Sequence, residues 1–203
     1  MVPLNRKDVI NQSRYLLAYY LHSRMVEDGI PNPPSVDDLL DSQYPCVFPD
    51  YRVVHPFVER AKVVQTGLDE DRQVQKLLEG IPHGAERGVI CSILRSVFSD
   101  DKINLGRVTV IFCLAYTMSA RAQYNKAKIR DIMDAVMDSM KDDVTQWIID
   151  NGGWDSAAAM LTPTKLHKAL QDYLSDSRKQ TMFVLGAGVV LFGVLYFWNR
   201  LQK

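Results

Sequence analysis

The chain has 203 residues, with 24 Lys+Arg against 24 Asp+Glu, a length that predicts one domain with at most an appendage. Balanced charge removes the electrostatic ground for nucleic-acid binding, which leans on excess cationic charge, and a charged fraction of 24% argues against wholesale disorder. Three cysteines (Cys46, Cys91 and Cys113), none in a C-x-x-C spacing, predict neither a disulfide framework nor a zinc cluster and suit a reducing cytosolic setting.

The opening Met1-Val2-Pro3-Leu4-Asn5-Arg6-Lys7 turns polar at once, so no signal peptide is expected. Over residues 5–25, Val9, Ile10, Leu16, Leu17, Tyr20 and Leu21 recur at helical spacing, and Asn5 is placed to cap the start. Gly29-Ile30-Pro31-Asn32-Pro33-Pro34 breaks that helix and predicts a loop over 28–52. A second helix is expected from Pro56 to Leu78, carrying Phe57, Ala61, Val64 and Leu68, and ending at Gly80 and Pro82. A third covers about Ala85–Phe98 with Val89, Ile90, Ile93, Leu94 and Val97 on its apolar face. Ser99-Asp100-Asp101 breaks it, and Asn104 is a fitting N-cap for the next helix.

The stretch Val108–Ala120, bounded by Arg107 and Arg121, carries no charge. Its thirteen residues rise about 20 Å as a helix, too short for a bilayer. Apolarity on all sides instead predicts a central helix wrapped by others. An amphipathic helix is expected over Ala127–Ile149, stopped by Gly152-Gly153, then short helices over Trp154–Leu161 and Thr164–Leu174. From Gln180 to Asn199 there is again no charge, with Arg178 and Lys179 before and Arg200 and Lys203 after. That run matches the ~20 residues of a membrane-spanning helix, with Met182, Phe183, Leu185, Val189, Leu191, Phe192, Leu195 and Trp198 as its apolar body. Tyr196 and Trp198 stand at its far end, where amphipathic rings suit a membrane interface. No strand pattern and no repeat is found. The expected architecture is all-α: a bundle of about eight helices around one apolar helix over 1–177, and a C-terminal transmembrane anchor over 178–203.

No metal, cofactor or enzyme motif is found. His22, His55, His83 and His167 are scattered and make no H-E-x-x-H spacing. There is no phosphate-binding glycine loop, and no G-x-S-x-G elbow. Cys91 and Cys113 fall on apolar faces, as small buried hydrophobes do. Asp69-Glu70-Asp71 reads as a solvated helix face.

Two stretches carry a resemblance. Val97-Phe98-Ser99-Asp100-Asp101-Lys102-Ile103-Asn104-Leu105-Gly106-Arg107-Val108 resembles the F-x-D-G-…-N-W-G-R-I motif of the Bcl-2 family of apoptosis regulators. Trp147-Ile148-Ile149-Asp150-Asn151-Gly152-Gly153-Trp154-Asp155 is similar to that family's W-I-x-x-N-G-G-W-[DE] motif. Their order and separation, the amphipathic first helix and the C-terminal apolar run match as well. The resemblance implies a helical bundle with a surface groove that receives an amphipathic BH-3 helix of a pro-apoptotic relative. It assigns Arg107 to the incoming aspartate, Asn104 to a hydrogen bond beside it, Gly106 to close backbone approach, and Ile93, Val97, Val108, Val110 and Leu114 to the groove floor. Trp147 and Trp154 are expected to pack the fold rather than touch the ligand.

Two departures stand out. Leu105 replaces the usual tryptophan of N-W-G-R. In the second helix, where the family's own BH-3 motif should lie, the best fit is Val63-Val64-Gln65-Thr66-Gly67-Leu68-Asp69, with Leu68 at the aspartate position and Asp69 one step late. One step rotates a helical side chain by about 100°. This degenerate third motif favours a pro-survival regulator at the mitochondrial outer membrane or endoplasmic reticulum, with Bax/Bak-like and BH-3-only relatives, the lipid bilayer, and a second copy or a relative in a homo- or heterodimer as partners. The alternative is a Bax/Bak-like effector that oligomerises and permeabilises the membrane.

Overall fold

The computed structural model describes residues 5–40, 51–70, 72, 75, 79–81, 85–98 and 101–159. Among them are eight helices: α1 (Arg6–Glu27), α2 (Val36–Leu39), α3 (Tyr51–Glu70), α4 (Arg87–Ser96), α5 (Leu105–Arg121), α6 (Lys126–Met140), α7 (Asp143–Asp150) and α8 (Gly153–Ala159). The expected helix over Thr164–Leu174 and the apolar run from Met182 to Trp198 lie outside the described residues. Of the described helices, none is long and apolar enough to cross a membrane.

Helix starts follow local capping chemistry. Asn5 accepts the Asp8 N–H at 2.9 Å and opens α1, and Asn125 does the same for α6 through the Lys128 N–H. Each supplies an acceptor to an N–H that has no partner inside its helix. Helix α2 breaks the loop expected over 28–52. Ser35 and Asp38 form a reciprocal capping box, and Leu39 is fully buried, so one turn is both nucleated and anchored. Helix α3 begins at Tyr51 rather than Pro56, and the proline sits inside it. Pro56 forgoes its own N–H and crowds the carbonyl one turn back, and burial of Val53 and Val54 carries the helix back past it.

The long helix expected over Ala127–Ile149 is two. It breaks at Lys141-Asp142, where Asp142 adopts φ −99°, ψ −92°. The Thr145 hydroxyl donates to the Met140 carbonyl at 2.8 Å and so satisfies an acceptor that the break leaves open. The turn lets α7 pack on α1 while α6 packs on α4 and α5.

Helix α5 is the hub. It packs on α1, α3 and α6, and its residues from Leu105 to Tyr116 are all buried. A helix apolar on every side has no solvent face to offer, so it goes to the centre. Phe57 of α3, Phe112 of α5 and Trp154 of α8 form an aromatic cluster there, with centroids 5.4 Å apart for Phe57–Phe112 and Phe57–Trp154.

Candidate functional site

The corner between α4 and α5 holds the first motif. Asn104, at φ −152°, ψ 162°, caps α5 by accepting the Arg107 N–H at 3.0 Å. Asn104→Ala is expected to lower folding stability by about 1 kcal/mol, the usual worth of a polar N-cap, read from the urea midpoint. Arg107 lies one turn on. Its side chain turns back rather than out: Nη1 donates to the carbonyls of Val97 and Lys102, both at 3.1 Å. Only 5% of the residue is exposed. Val97 is the C-cap of α4, where carbonyls run out of helical partners and a cation is favoured. A cation ill-suited to the α5 N-terminus is thus bonded to the opposite pole of α4. The anion expected for Arg107 is met here by backbone carbonyls of its own chain.

The expected groove floor divides. Ile93 is partly exposed, while Val97, Val108, Val110 and Leu114 are each 3% exposed or less. Gly106 is buried as well. These four side chains and the glycine are buried in this structure, Val97 at the end of α4 and the others on the hub helix. The apolar side chains that reach the surface around the corner are Ile93, Phe98 and Ile103. Phe98 and Ile103 were legible in the sequence as motif positions but gave no sign of being lining residues. Helix α3 packs on α5, and α4 on α6, so α3 and α4 flank the hub on different supports.

The third motif region is folded inward. Leu68 is 1% exposed and belongs to the core. Asp69 points away from it, accepting from Gln65 Nε2 at 2.7 Å and lying 3.7 Å from Arg24. Val63, at the leucine position of the family pattern, is 69% exposed. Gln65 is fully buried, a placement that the sequence did not announce.

The second motif is a packing device. Gly152 and Gly153 adopt φ +83° and +79°, a region where a side chain is strained. A Cβ on Gly152 would meet Ser156 Oγ at 2.7 Å. The double glycine turns the chain so that Trp154 enters the core, where its indole N–H donates to Ser13 Oγ at 3.0 Å. Trp147 is only partly buried against the same core.

Neither described thiol is activated. Burial pushes Cys113 up to about 12 and also raises Cys91, so both stay protonated and inert. No cluster of potential metal ligands occurs among the described residues. A cleft of about 830 Å³ opens between the start of α4, the end of α5 and the start of α6, floored by Ile81, Ile90, Met118 and Ile132. Its cations are compensated: Arg87 pairs with Asp134 and Asp138, Lys128 with Asp131, and Arg121 donates to the carbonyls of Glu79 and Ile81.

Comparison with known proteins agrees with this geometry. The family model for apoptosis regulator proteins of the Bcl-2 family matches residues 63–154. The apoptosis regulators BAX of Bos taurus and Homo sapiens are each 28% identical over 145 residues, spanning 70% of this chain and 68% of theirs. The crystal structure of chicken BOK aligns with a TM-score of 0.59 at 13% identity, covering 78% of this chain and 100% of that one. At that identity the likeness speaks for the fold. By its paired motifs, its matched segment and its helical architecture, this chain carries over residues 63–154 a domain of the Bcl-2 family of apoptosis regulators.

Proposed function

We propose that this regulator works by occupancy: it receives an amphipathic BH-3 helix of a pro-apoptotic relative beside α5, and thereby restrains cell death. The observation that carries this reading is the α4–α5 corner. There a capped helix start, a guanidinium one turn in, and the partly exposed Ile93, Phe98 and Ile103 lie together. Apolar anchors with one charge pair are the chemistry by which a groove selects a helix. No bond is made or broken, so no enzyme activity is assigned.

A second reading has its own support. The curated relatives at 28% identity are named BAX, and a BAX-like effector would oligomerise and permeabilise the membrane. One fold serves both directions. Dye-loaded liposomes separate them. The full chain is expected to suppress release driven by a BAX-type effector. Release driven by the chain itself, on addition of a BH-3 peptide, would sink the pro-survival reading and establish the second.

We place the protein at the mitochondrial outer membrane or endoplasmic reticulum, held by residues 178–203. The support is the uncharged run from Gln180 to Asn199 with its basic flanks, of the length a bilayer core requires. Deleting 180–203 is expected to move the protein from the membrane pellet to the soluble fraction; retention in the pellet would assign the anchor elsewhere.

A further inference from the structure

Helix α3 has one buried side chain that does not fit an apolar stripe. Its core face is Val53, Val54, Phe57, Val58, Ala61, Val64 and Leu68, each 7% exposed or less. At about 100° per residue, Gln65 projects between the directions of Val54 and Val58, inside that arc. It is completely buried. A primary amide has one acceptor oxygen and two N–H donors to satisfy, and leaving a buried one unmet is costly.

Here all of these requirements are met within the chain. The Tyr20 hydroxyl of α1 donates to Gln65 Oε1 at 3.0 Å. Gln65 Nε2 donates to Asp69 Oδ1 at 2.7 Å and to Thr117 Oγ1 of α5 at 3.2 Å. Tyr20 also lies 3.5 Å from Cys113 Sγ, and the Thr117 hydroxyl donates to the Cys113 carbonyl. Ion pairs close the same seam at the surface, where Arg24 faces Asp69 and Lys62 faces Glu27. Each partner comes from α1, from α5 or from α3 itself.

We propose that Gln65 commits α3 to its own chain: Asp69 travels with α3, but the amide oxygen and the second N–H find their partners, Tyr20 and Thr117, only between α1 and α5, and this disfavours insertion of α3 into an apolar groove of a second protein. A groove that accepts Phe57, Ala61, Val64 and Leu68 must cover Gln65 with them, and an apolar wall offers it neither donor nor acceptor. Specificity of this kind comes from penalising the wrong partner rather than improving the right one. The inference rests on the groove-and-helix function above for the nature of the competing site, and it holds for either direction of activity.

The test uses the full chain and a pro-survival Bcl-2 relative as the acceptor groove. Two substitutions act differently. Tyr20→Phe removes a hydroxyl from the seam and leaves the α3 face untouched. Gln65→Met, of similar volume, loosens the seam and also makes that face apolar. Hydrogen exchange over 53–68 is expected to rise in both. Capture by the acceptor, read by calorimetry, is expected to be tighter for Gln65→Met than for Tyr20→Phe by at least about tenfold, the scale set by one buried unpaired amide. Gln65→Leu serves as a second apolar variant, with folding of all three checked by circular dichroism. Equal capture of Gln65→Met and Tyr20→Phe, or capture of Gln65→Met no tighter than wild type, overturns the proposal. Liposome release by the wild-type chain would overturn only the pro-survival direction, since it does not read the contrast between the two variants.

Discussion

Replacing Trp154 by alanine is expected to cost about 3–5 kcal/mol of folding stability, the range for deleting a large aromatic from a packed core. Trp154 is 1% exposed. It stands 5.4 Å from the Phe57 ring and 6.3 Å from the Phe112 ring, tying α8 to the helix bearing the third motif and to the hub. Edge-to-face ring contacts of this kind add to the area they bury. Its indole N–H also satisfies Ser13 Oγ, whose own proton goes to the Val9 carbonyl. Losing the ring therefore opens a cavity and removes the donor on which that buried hydroxyl relies. Trp154→Phe keeps an aromatic ring but loses the N–H and part of the volume, and should fall between the two. Urea unfolding with a fixed m-value is the measurement. A loss below about 1 kcal/mol, the size of an ordinary surface change, would remove Trp154 from the core.

Arg107→Ala is expected to have two separable effects. The first is on the fold. The guanidinium bonds the carbonyls of Val97 and Lys102, and charge-assisted bonds of this kind each contribute about 1.5–3 kcal/mol. Both bonds are lost, so the expected loss is about 3–6 kcal/mol, with faster proteolysis near Lys102. The second effect is on ligand. If the groove reading holds, the cation also attracts the aspartate of a bound BH-3 helix, and its removal weakens that helix by about 1–3 kcal/mol. Calorimetry on the folded variant reads the second effect apart from the first. Unchanged affinity with lowered stability would make Arg107 a strut for the corner and nothing more. Arg107→Lys should restore part of the stability, because both carbonyls accept from the single Nη1 atom and an ammonium carries three donors.

The burial of Arg107 matters for how a helix would be admitted. A guanidinium that is 5% exposed meets an incoming carboxylate only when the groups covering it shift. Binding would then couple to movement at the α4–α5 corner, where Phe98 and Ile103 are partly exposed. The same corner carries Asp101 at φ +58°, a left-handed backbone that few side chains adopt without strain.

Much of the fold was legible because it is written in local chemistry. Caps need a side-chain oxygen within three residues of an unpaired N–H, and Asn5 and Asn104 announced theirs. A helix without charge on any side has one stable destination, so the place of α5 as the hub was readable from Val108–Ala120 alone. The one-step lag of Asp69 behind the family pattern was also readable, since rotation along a helix is fixed by counting: Leu68 went to the core and Asp69 to the surface. The break between α6 and α7 was not readable. The apolar stripe continues across it, and only packing of α7 on α1, with Thr145 to close the open carbonyl, makes two helices better than one.

What the sequence by itself determined was the class of the molecule: helical, built round one apolar helix, with two motifs specific enough to point to a family. What the tertiary structure alone decided was who meets whom. Arg107 bonds the end of α4, Gln65 is enclosed by Tyr20 and Thr117, and the side chains of Val108, Val110 and Leu114, expected on a groove floor, are buried. The physical reason is range. Periodicity, caps and motifs depend on neighbours a turn or two away, which spacing records directly. Gln65 instead depends on Tyr20 and Thr117, 45 and 52 residues away, brought within about 3 Å, the length of a hydrogen bond, only when the helices pack.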